Sequence, residues 1–183
     1  MKLPASIARW FGGDPVRDAA EALYAATCAQ ARRPEPFSEL GVPDSLDGRF
    51  DALCMHMFLV VRRLSREGDR GAGLAHGLYD SMFADMDRTL REMGVGDLGV
   101  GKRVKEMVTA FYGRVDAYQN GLAGGPAALA EALSRNLYRG EPPAPERLAA
   151  MAAYVAASSS ALSALGRETL ARGEVAFADL PAA

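Results

Sequence analysis

With 183 residues, 49% of them apolar, 24% charged and a formal net charge of -2, the chain suits one domain with its own hydrophobic core and needs neither a metal nor a disulfide staple. That charge balance excludes a strong electrostatic pull on nucleic acid or on an anionic membrane surface. Cys28 and Cys54, the only cysteines, fall within two apolar helical patterns, which excludes a close-spaced zinc or redox pair and marks both as reduced core residues.

Met1 to Asp14 places Leu3, Ile7, Trp10 and Phe11 at helical spacing beside Lys2 and Arg9, without the apolar run of a secretory signal. Two readings of this arm stand: an anchor lying on a membrane surface, or a short helix docked on the protein's own core. Asp14 followed by Pro15 has the arrangement of an N-cap and an N1 proline, and Ala19, Ala22, Leu23, Ala26 and Ala29 continue a first helix to about Arg32. Pro34, Pro36, Gly41 and Pro43 punctuate a surface loop over 33–48. From Phe50 to Leu64 the chain is apolar on nearly every side, which marks a central, buried helix. No stretch reaches the ~20 apolar residues that cross a bilayer. Ala52 to Val61 comes nearest and is interrupted by His56, so the chain is expected not to span a membrane and, without a secretory signal, to reside in the cytoplasm.

A charged link at Arg66, Glu67, Asp69 and Arg70 leads to a third helix, where Leu74, Leu78, Met82, Met86, Leu90 and Met93 form a narrow apolar stripe widened by Tyr79 and Phe83. Asp80, Asp87 and Arg91 fall on its other side, and Gly94 is a natural stop. Val104, Val108, Phe111, Val115, Tyr118 and Leu122 give the fourth helix the cleanest amphipathic spacing in the chain. Gly124, Gly125 and Pro126 break and restart it into a fifth helix carrying Leu129, Leu133 and Leu137. After a second break over 140–145, Leu148, Met151, Val155, Ser158, Leu162 and Leu165 line a sixth. No strand is convincing. The expectation is an all-α, compact single-domain bundle of about six helices around a central apolar helix, with an arm at 1–14, the domain at 15–173 and a small-residue tail at 174–183.

Gly94-Val-Gly-Asp-Leu-Gly-Val-Gly-Lys102 formally satisfies two nucleotide-binding patterns. The dinucleotide fingerprint, however, must follow a parallel strand, and here a helix precedes it. The phosphate loop needs a Ser or Thr where Arg103 stands. A helix-turn-helix junction that uses its glycines for positive φ explains the run better, leaving a nucleotide-using enzyme as a distant alternative. Asp85 lies ~160° around its helix from Asp87, too far to share a metal, and no second acidic helix opposes them. His56 and His76 lack partners at ligand spacing and read as structural residues. No catalytic residue, cofactor or metal is therefore expected. Met55, Met57, Met82, Met86, Met93 and Met107 suit an adaptable surface for apolar clients, but core packing is the favoured reading.

The junction between the third and fourth helices also concentrates charge of both signs around a glycine turn. Asp85, Asp87, Arg91, Asp97, Lys102 and Arg103 are the candidate partner-binding residues, on the ground that such a loop between two amphipathic helices suits protein docking. Asp87 and Arg91 read equally as a solvated i,i+4 pair.

Two stretches carry a family resemblance: GVPDSLDGRFDALCMHMFLVVRRL at 41–64 and LYDSMFADMDRTLREMGVGDLGVGKRVKEMVTAFYGRVDAY at 78–118. Leu23-Tyr24, Gln30-Ala31-Arg32 and Asn136-Leu137-Tyr138 extend it to roughly 17–139. These segments resemble the ubiquinol-cytochrome c chaperone family. The resemblance implies a non-catalytic helical assembly factor that binds newly made cytochrome b or another respiratory-complex subunit, with a partner assembly factor and peripheral membrane contact. It implies no nucleic acid and no cofactor. The absence of a mitochondrial presequence suggests a bacterial-type member, and the segment beyond Gly140, which resembles the family less, reads as a lineage-specific cover or partner site. A general helical scaffold or membrane-surface adaptor is the alternative.

Overall fold

The structure, a computed structural model, describes residues 14–180. The membrane-anchor reading of Leu3, Ile7, Trp10 and Phe11 lies outside them.

Helix α1 spans Pro15–Ala31, and the Asp14 carboxylate caps it by accepting from the Val16 N–H at 3.0 Å. A single turn, α2 (Glu35–Ser38), interrupts what the prolines suggested was loop throughout. That segment is anchored as well as crossing the surface: Leu40 and Val42 are buried, and the Tyr138 hydroxyl donates to the Leu40 carbonyl at 2.8 Å. Helix α3 spans Leu46–Leu64, capped by Ser45. A 3-10 turn over Ser65–Glu67 leads into α4 (Gly68–Glu92), so the expected charged link divides between that turn, with Arg66 and Glu67, and the first turn of the helix, with Asp69 and Arg70. Helix α5 covers Asp97–Gly124, starting about two turns before its apolar stripe does. Then follow α6 (Pro126–Asn136), α7 (Pro145–Ala164) and a short α8 (Arg167–Ala171) that the sequence did not suggest. Among the described residues the fold is all-α with no strand.

α3 is the central helix, contributing to both hydrophobic clusters. One side, with Met55, Phe58 and Leu59, packs against Tyr118, α6 and α7, and the other, with Cys54, Met57 and Val60, packs against α1, α4 and Phe111. Full burial of each large apolar side chain here stabilises by roughly 1.5–3 kcal/mol. The two cysteines are free and buried, and burial pushes both thiols up, which keeps them protonated and unreactive.

Most polar groups inside are bonded, the Tyr118 hydroxyl and Arg114 Nε being exceptions. His56 is fully buried: its Nδ1 donates to the Ala52 carbonyl at 2.8 Å, so Nε2 accepts from the Tyr154 hydroxyl, also at 2.8 Å, while Gln30 donates to that same oxygen. Arg63 donates to the Leu162 and Leu165 carbonyls at 3.0 and 2.7 Å, closing the C-terminus of α7 as a cationic cap. Beyond α8 the chain lies against the core: Phe177 meets the His56 ring edge-on at 5.3 Å, the Ala178 N–H donates to Ser158, and Leu180 is buried.

Helices α1 and α4 pack closely and run the same way, since Val16 meets Gly73, Ala20 meets Gly77 and Tyr24 reaches Asp85. A methyl group on Gly77 would come within 2.7 Å of the Ala20 Cβ, so glycine at that position sets the spacing. Toward their C-terminal ends the two helices become walls of a groove.

Candidate functional site

α1, α3, α4 and α5 enclose an open groove of about 510 Å³. Its apolar lining comes from Phe50 and Leu53 of α3, Met86, Leu90 and Met93 of α4, and Met107 of α5. Every one of these helices also gives its opposite face to the core, so the groove is what remains where four amphipathic elements diverge. The methionines divide accordingly. Met55, Met57 and Met82 are fully buried, whereas Met86 is shared between core and groove and Met93 is 54% exposed. Unbranched thioether side chains can reshape such a surface around different apolar segments.

The groove's base rests on a buried acid. Asp51 is fully buried in α3, and each of its oxygens accepts a 2.6 Å charge-assisted bond, one from Arg114 of α5 and one from Arg139 after α6. Arg139 adopts a left-handed φ of 54°, unusual for a side-chain-bearing residue, and also reaches Asp47 at 3.0 Å. On the α1–α4 side the Tyr24 hydroxyl donates to Asp85 at 2.9 Å, and burial pushes that phenol up, keeping it a donor. Asp85 also meets Arg88 at 3.3 Å.

The six residues proposed from sequence are not one patch. Asp87, Arg91 and Asp97 come together at the α4–α5 turn: Arg91 donates to Asp87 at 2.6 Å and pairs with Asp97. Asp85 and Arg103 line the groove instead. Lys102, 81% exposed, belongs to neither group and faces Glu106 at 4.0 Å. Of the groove's lining, Met86, Met93 and Met107 were weighed as a client surface but assigned by preference to the core, while Phe50, Leu53, Leu90 and Arg32 were not anticipated, because each looks like ordinary amphipathic stripe or helix end in its own segment.

The glycine run forms no phosphate cradle. Gly94, with φ of 80°, ends α4 in a Schellman turn, its N–H bonding Arg91 and the Val95 N–H bonding Leu90. Gly96 is extended and caps α5, and Gly99 and Gly101 lie inside that helix. Of these glycines only Gly94 takes positive φ, which corrects the expectation that the run serves that purpose throughout. Among the described residues no group of His, Cys, Asp and Glu could hold a metal ion.

The described residues form an all-α domain with an open, largely apolar groove. Residues 38–177 match the sequence model of the ubiquinol-cytochrome C chaperone family. The crystal structure of the Cbp3 homologue from Brucella abortus superimposes with a TM-score of 0.79 at 36% identity, covering 88% of this chain and 90% of that one. The ubiquinol-cytochrome-c reductase complex assembly factor 1 of Xenopus laevis is 26% identical over 90% of this chain and 83% of its own length. Its Mus musculus counterpart is 24% identical over 97% of this chain, which spans 59% of that protein. The chain belongs to the ubiquinol-cytochrome c chaperone family. Because the match runs to residue 177, α7 is part of the family domain, not the lineage-specific addition its weaker resemblance suggested.

Proposed function

We propose that this protein is a non-catalytic assembly chaperone for the ubiquinol-cytochrome c reductase complex and that its groove holds an apolar segment of newly made cytochrome b. The observation that carries this reading is the groove itself: a methionine-rich apolar lining left open by four helices, in a chain whose relatives are named as assembly factors of that complex. A client with apolar membrane segments needs such cover before insertion, since exposed apolar surface aggregates. No helix among the described residues is long and apolar enough to cross a membrane. The proposed place of action is therefore peripheral, on the cytoplasmic face of the inner membrane.

The exposed Asp87–Arg91–Asp97 cluster, with Lys102 nearby, is proposed as the contact for a partner assembly factor, and Asp85 and Arg103 as part of the client groove. Affinity purification of the tagged chain from cells during synthesis of the complex is expected to recover cytochrome b, and deletion of the gene to lower its accumulation. Normal accumulation in the deletion strain, with another protein recovered in stoichiometric amounts, would favour a general scaffold.

A further inference from the structure

The charged groups around the groove pair off unevenly. Asp47 is held by Arg139, Asp85 by Arg88, and Glu106 faces Lys102. Arg49 is bound to Asp44, and Arg114 to the buried Asp51. That leaves Arg32 and Arg103, both exposed and both lining the groove, with no acidic partner among the described residues.

Their positions are related. Arg32 ends α1, which runs parallel to α4 with Tyr24 reaching Asp85, so Arg32 stands near the level of Thr89 and Leu90. Arg103 lies near the start of α5, which returns antiparallel along α4 after the Gly94 turn and comes back to the same level. Two unengaged guanidinium groups thus stand at neighbouring levels of α1 and α5, lining the same groove as Met86, Leu90, Met93 and Met107.

We infer that the groove takes an acidic amphipathic peptide segment: its apolar face lies on the four lining residues just named, and its acidic flank is held by Arg32 and Arg103. This rests on the client reading of the groove and adds the chemistry of what is recognised. Arginine forks match carboxylates by two parallel bonds, and an apolar surround strengthens them. The same pair discriminates against a basic segment, which would bring like charges together at a partly desolvated site.

Synthetic amphipathic peptides of identical apolar pattern, carrying Glu, Gln or Lys at one flank position, are the probe, titrated against the full-length protein by fluorescence anisotropy. The Glu peptide is expected to bind about tenfold more tightly than its Gln twin, as two charge-assisted bonds warrant, and the Lys peptide more weakly than either. The preference should shrink with added salt and vanish in the Arg32→Ala, Arg103→Ala double variant, whose two exposed side chains leave the melt unchanged. Equal binding of the Glu and Gln peptides, or no binding of any, overturns the inference. So does saturable, Arg32-dependent binding to phosphatidylglycerol vesicles without peptide binding, which would make the arginine pair a lipid-phosphate site. Recovery of cytochrome b by the tagged chain is a separate readout. Equal peptide binding with cytochrome b recovered sinks only the acidic preference, while Glu-selective binding without cytochrome b keeps that preference and removes that client.

Discussion

Two sets of arginines face one groove and do opposite things. At its base Arg114 and Arg139 both commit to Asp51, which has no exposure at all, and at its mouth Arg32 and Arg103 commit to nothing among the described residues. The difference shows where charge serves the fold and where it is kept for something outside it. A buried carboxylate must be bonded on both oxygens, so its partners are held in place by the fold, Arg139 by Asp47 as well. An exposed arginine on an apolar wall is under no such demand.

The comparison breaks most visibly at Asp51. Asp51→Ala leaves Arg114, itself mostly buried, without its counter-charge and should cost ~3–5 kcal/mol in a urea or thermal melt. A loss below ~1 kcal/mol would mean that water reaches the pair and that the base of the groove is not different from its mouth.

His56 sharpens the interior side. Burial lowers this ring from its ordinary value of 6.5 to about 4, against the opposing hydrogen bond to Ala52. The folded chain therefore binds this proton less readily than the unfolded chain. Stability from this group is fully present above about pH 6.5 and is lost as pH falls toward 4, by up to ~3 kcal/mol. Urea midpoints between pH 7 and 4.5 should fall more steeply for the native chain than for His56→Gln. Parallel curves would show that the ring is not the group responsible.

Next in size is Gly77→Val, which drives side-chain atoms into Ala20 and should cost ~1–3 kcal/mol while splaying the α1–α4 wall of the groove. An unchanged melt would show that the two helices slide apart freely.

The smallest expected effect on folding is at the turn. Asp87→Ala combined with Arg91→Ala removes an exposed pair and should leave the melting temperature where it was. If the cluster serves a partner assembly factor, cytochrome b accumulation falls all the same. Normal accumulation with a normal melt would return the pair to plain solubility.

Much of this organisation was legible in the sequence because it is periodic. The α4 and α5 stripes, the N-cap before Pro15 and the central placement of α3 follow from spacing within one segment, as does the Asp87–Arg91 pair. What was missed is nonlocal. Asp51 finds Arg114 and Arg139 across separations of 63 and 88 residues, and no pattern inside α3 announces them. The one available signal was an acid standing within an apolar helix, which needs a partner wherever it is found. The groove was invisible for the same reason, being a gap among four helices whose stripes each look complete. The contribution of Val175, Phe177 and Leu180 to the core was hidden in a tail of small residues, too short to show a period.

The most direct test of the groove as the client site is photo-crosslinking in cells, with benzoylphenylalanine replacing Met107 in the groove or Tyr112 on the exposed face of α5. The groove account predicts an adduct with newly made cytochrome b from position 107, lost when Met93→Lys is added, and none from position 112. Adducts from 112 but not from 107, or equal yields from both, would contradict it.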